Sequence, residues 1–172
     1  QSLVEQKQFE QAATLYQSEA ARLLAADRKQ ELAGVIVAFA DKLVEKPDPN
    51  VPDAPSPDFQ KAYKLYSKAL DMEISREFRN ELVFKKACAI QQAGNSNQAV
   101  RDFQAYLVEF DPGWTGPAGS GKARLPMQVP PPAGKHVAMA RYHLAESQIQ
   151  AGNLASGRME LEDLLKLINA PV

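Results

Sequence analysis

Through most of the chain, apolar residues return at steps of three and four, the spacing that turns one face of a helix into a core. In residues 8–25 that face is Phe9, Ala12, Ala13, Tyr16, Ala20 and Leu23, and in 29–45 it is Leu32, Ile36, Phe39 and Leu43. A third helix has a legible start. Ser56 suits the N-cap, Pro57 the first helical position and Asp58 the positive end of the helix dipole. It carries Phe59, Ala62, Tyr63, Tyr66, Ala69 and Leu70 on its apolar side. A fourth helix is predicted over about 77–93, stopped by Gly94, and a fifth over about 96–110, stopped before Pro112. A sixth runs to Gln150 ahead of Gly152, and a seventh from about 154 to 168. No segment alternates with the period of a strand, so the pattern predicts an all-α chain of about seven helices. Two stretches break it: an insert at 47–58 whose five prolines forbid a helix interior, and one at 113–135 rich in Gly and Pro.

Four of these helices open in the same way, with a small residue at the middle of each triplet: Phe9…Ala12…Tyr16, Phe59…Ala62…Tyr66, Ser96…Ala99…Phe103 and Leu154…Gly157…Leu161. The small residue lets a neighbouring helix come close, and the larger one four positions on fills the gap beside it. The small positions are 50, 37 and 58 residues apart; with the two inserts excised, the long steps shorten to 38 and 35. Stacked helix pairs have a period of about 34.

Residues 83–112 and 138–165 resemble the tetratricopeptide repeat family. The first window has Ala87 at the crossing of its leading helix, Ala93-Gly94-Asn95 as the turn, Ala99 and Phe103 on its second helix, and Asp111-Pro112 at its close. The second has Tyr142, Leu144, Ala145 and Gly152 in matching places. The family's leading tryptophan is Val83 or Arg141 here, and Gly157 stands for the second-helix alanine. The resemblance implies a single domain over 1–172: a right-handed superhelical array of antiparallel helix pairs. The first insert would then join helices within a unit and the second would join two units, placing them on opposite edges. The chain opens on a second-helix pattern, which suggests a fragment of a longer repeat protein.

Composition narrows the function classes. With 20 basic and 21 acidic residues the formal net charge is −1, which gives no global pull toward nucleic acid. No apolar run is long enough for a transmembrane helix. Cys88 is the only cysteine, so neither an internal disulfide nor a cysteine-rich metal site is expected. His136 and His143 lie seven residues apart, about 10.5 Å along a helix, too far to share one ion. They read as groove-lining or solvent-facing. The run Glu160–Asp163 reads as a solvated edge. Gly116–Ala123, GPAGSGKA, matches the phosphate-loop pattern except at Ala123, but it follows a helix where that loop follows a strand, and it lacks the magnesium-binding hydroxyl. Nucleotide binding there is the remote alternative. No nucleophile–base constellation is found, so the chain is read as non-enzymatic and without a cofactor.

The resemblance implies that leading-helix residues line a concave groove for a peptide or protein. By register these are Glu81, Phe84, Cys88 and Gln91 in the first window and Met139, Tyr142, Glu146 and Ile149 in the second. A clamp for carboxylate termini would need Lys and Asn there. The residues present favour an apolar or weakly basic segment, or simply pack. Trp114, at the base of the second insert, either contacts a partner or folds back and pins the insert. The expected role is a protein-interaction scaffold, with an accessory array of a larger enzyme or signalling protein as the alternative. Self-association through the array ends stays open. Pro-rich inserts in a helical repeat suggest, by analogy, a bacterial exported setting, with the cytoplasm as the other choice.

Overall fold

The computed structural model describes residues 26–47, 56–116 and 133–169. Among them are six helices and no strand: α1 (Ala26–Val44), α2 (Phe59–Leu70), α3 (Arg76–Gln92), α4 (Ser96–Phe110), α5 (Val137–Gln150) and α6 (Leu154–Ile168). The helix expected at 8–25 lies outside the described residues, as do most of both inserts.

Three of the helix starts are held by a side-chain cap. Asp58, Ser75 and Asn95 accept from the backbone N–H of Lys61 (2.9 Å), Phe78 (3.3 Å) and Gln98 (3.1 Å). The first of these corrects the sequence reading, which placed the cap at Ser56. The backbone N–H of Asp58 donates to the Leu43 carbonyl at 2.9 Å, so Asp58 itself is tied to the end of α1 and the helix begins only after it. The ends of α3 and α5 share one construction. Gly94 and Gly152 have φ of 80° and 85°, and the following asparagine N–H reaches back to the carbonyl of Ile90 (3.2 Å) or Gln148 (2.8 Å). Only glycine takes that backbone without strain. The tetrapeptide Gln-Ala-Gly-Asn occurs identically at 92–95 and 150–153.

Each helix packs chiefly on its neighbour in sequence, and α3 also touches α5. Small residues sit at the crossings: Ala62 and Ala99 are fully buried, and Gly157 is buried against Ala145 and Ile149 of α5. Tyr66 and Phe103, four residues on, are buried as expected, and Leu161 is half-buried. On α1 half of the predicted stripe holds, with Ile36 and Leu43 partly buried against the core, but the buried line runs one residue further on. Ala33, Val37 and Ala40 face α2, while Leu32 and Phe39 stay exposed. Close approach to α2, which offers Ala62 and Ala69, selects the small side chains over the large ones. Helix α3 serves two cores, placing Leu82 and Ala89 in one with α1 and α2, and Val83, Ala87 and Ile90 in the other with α4 and α5.

Polar contacts fix the register of alternate helices. Lys29 meets Glu73, Gln30 meets the Ser75 N–H and Asp41 meets Lys85, at separations of 44, 45 and 44 residues. Glu81 meets His136 and Gln91 meets Glu146, both 55 residues apart. Constant offsets at both ends mean that α1, α3 and α5 run parallel, side by side. No helix among the described residues is long and apolar enough to cross a membrane.

Candidate functional site

Between the C-terminal halves of α1 and α3 lies a cleft of about 640 Å³, floored by Phe59 and Tyr66 of α2. It opens because α1 and α3, unlike α3 and α5, do not close on one another. Of the residues expected in a groove, Glu81, Phe84 and Cys88 line it. Its other polar members are Asp41, Glu45, Lys46, Lys85, Gln92 and His136.

Two carboxylates organise these walls. Asp41 accepts from the Tyr66 hydroxyl (2.6 Å) and from Lys85 Nζ (2.8 Å), tying α1 to α2 and α3. Burial and the adjacent Asp41 push the Tyr66 phenol well above its ordinary range. Glu81 lies 2.7 Å from His136 Nε2, with Lys135 Nζ at 3.8 Å. Burial raises its carboxyl pKa, but the His136 hydrogen bond and the His136, Lys85 and Lys135 charges outweigh that and leave it lowered. Cys88 is half-buried, and burial together with Glu146 pushes its thiol up to about 12, so it is a packing group with little thiolate character.

His136 is held by more than Glu81. Its ring stacks on Phe84 at 4.5 Å and 8° between planes, and its backbone N–H donates to the Tyr106 hydroxyl at 3.1 Å. That hydroxyl in turn donates to Asn80 Oδ1 at 2.9 Å. Just before it, Gly134 N–H donates to the Phe110 carbonyl at 2.7 Å, and a Cβ on Gly134 would lie 2.6–2.7 Å from Asn80, Phe110 and Tyr106. The returning stem of the second insert is thus seated on α3 and α4, and it forms one wall of the cleft.

The departing stem is anchored on α5. Arg141 Nε and an Nη donate to Asp111 Oδ2 at 2.7 and 2.6 Å, both side chains being buried. Asp111 Oδ1 accepts from the Gly113 N–H at 2.9 Å. Trp114 follows, 6% exposed, in the core shared by α3, α4 and α5. Of the two readings open for this indole, folding inward is the one seen. The stretch Gly116–Ala123 lies outside the described residues after Gly116, and the element before it is α4.

The remaining expected groove residues are divided. Gln91 is buried rather than exposed, its amide donating to Glu146 (2.9 Å) and Ser147 (3.1 Å) across the α3–α5 contact. His143 shares Glu146 at 3.2 Å and stacks on Phe103. Met139 and Tyr142 stand exposed on α5, and Ile149, also exposed in part, covers Gly157. Glu160 is buried, so the acidic run is not the uniformly solvated edge expected; its position faces α5, whereas Glu162 and Asp163 point outward. Sequence reasoning missed Asp41, Lys85 and the pairing of His136 with Glu81. The first two are 44 residues apart and carry no local signal. Among the described residues no cluster of three His, Cys, Asp or Glu could hold a metal ion.

Compared with family models, with curated proteins and with solved structures, the chain matches none.

Proposed function

We propose that the protein is a non-catalytic interaction scaffold, a tetratricopeptide-like array that takes a peptide or protein segment on the face formed by α1, α3 and α5. The observation that carries this reading is the parallel register of those three helices over an apolar cleft. Parallel alternate helices with small residues at each crossing are what stacked helix pairs require, and a face made of leading helices is where such arrays bind. A photo-crosslinking residue at Tyr142 or Glu45, compared with one at Lys68 or Ala105 on other faces, tests it. The scaffold reading expects adducts from the first pair only. Adducts formed equally from both pairs, or only from the second, refute it.

A second reading, one segment of a larger array within an enzyme or signalling protein, is favoured by the exposed apolar side chains of α6. Leu154 and Ile168 are each 65% exposed and Leu165 is 57% exposed, a stripe of the kind that a following helix would cover.

A further inference from the structure

We draw no further inference here: the strongest candidate, the exposed apolar face of α6 formed by Leu154, Leu165 and Ile168, carries nothing because nothing in the structure shows what covers it.

Discussion

Replacing Gly157 with alanine should destabilise the protein, although the same change at Gly34 should stabilise it. Both glycines lie inside helices, where alanine is favoured over glycine by about 0.8–1.0 kcal/mol. At Gly34 of α1 an added Cβ meets nothing within 4 Å, so the gain is realised. At Gly157 of α6 the same Cβ would sit 2.6 Å from Ile149 Cγ1 and 2.9 Å from the Ala145 carbonyl oxygen. Ile149 is partly exposed and can turn away. The carbonyl belongs to the backbone of α5 and moves only if the two helices separate. Overpacking of this kind costs about 1–3 kcal/mol. Set against the propensity gain, it leaves Gly157→Ala between neutral and about 2 kcal/mol destabilised, and about 1–3 kcal/mol below Gly34→Ala. For a chain of this size that is a gap of roughly 2–12 °C in melting temperature, readable by thermal circular dichroism. If the Gly157 variant melts with or above the Gly34 variant, the α5–α6 crossing is not the close contact argued here, and Gly157 is not equivalent to Ala62 and Ala99.

Arg141→Met should cost about 3–5 kcal/mol by leaving Asp111 buried without its guanidinium, and combining it with Asp111→Leu should restore at least half of that loss in urea denaturation; if the double variant is no better than the single one, the pair is not what makes Arg141 matter. Excising part of 117–132 while keeping both stems should leave the melting temperature within a few degrees, whereas removing 113–135 with Trp114, Gly134 and Lys135 should lower it by about 5 °C or more; equal melting of the two would show that the stems hold nothing. Cys88, with its thiol raised from an ordinary 9.0 to about 12, should react with iodoacetamide at pH 7.4 about a thousandfold more slowly in the native protein than after unfolding in urea; rapid native alkylation would contradict its packing.

Most of the helices were legible because their signals are local. Glycine after an amphipathic run marks an end through chemistry that acts within a single turn, as at Gly94 and Gly152, whereas the caps at Ser75 and Asn95 were not read from the sequence. The small residues at the crossings were legible for the same reason: Ala62, Ala99 and Gly157 recur in a fixed relation to larger neighbours. The buried face of α1 was legible only in part: Ile36 and Leu43 of the predicted stripe pack against the core, whereas Leu32 and Phe39 do not. Its large apolar residues made a credible stripe, but the choice between that stripe and Ala33, Val37 and Ala40 was made by the alanines of α2, which α1 cannot report. Of the site, Glu81, Phe84 and Cys88 followed from the register that the tetratricopeptide resemblance implies, and His136 was open as groove-lining or solvent-facing, while Asp41, Lys85 and the pairing of His136 with Glu81 depend on how three helices lie against each other. Gln91 was misplaced because helical register gives an angle, and that angle points into α5 as readily as into a groove.

The departures from the repeat pattern make sense only together. Arg141 stands where the tetratricopeptide resemblance leads one to expect a large apolar residue, and alone it is a buried cation that should destabilise the core. Asp111, the residue that ends α4, brings the opposite charge to within 2.6 Å, and its second oxygen turns the chain at Gly113 so that Trp114 enters the core beside it. The arginine is therefore matched to the insert's departure. Gly134 is matched to its return, because three neighbouring side chains occupy the space of any Cβ there, and that close seat sets His136 on Phe84 and Glu81. A long connection between two helical units need not be fastened at both ends, since loop-closure entropy changes only slowly with length. Here both stems are fastened by specific groups, and one of them forms a wall of the cleft. A change in the insert that unseated Gly134 would alter the wall of the cleft at His136. The groove and the insert, which the sequence presented as alternative contact surfaces, meet at His136, the residue that follows the insert.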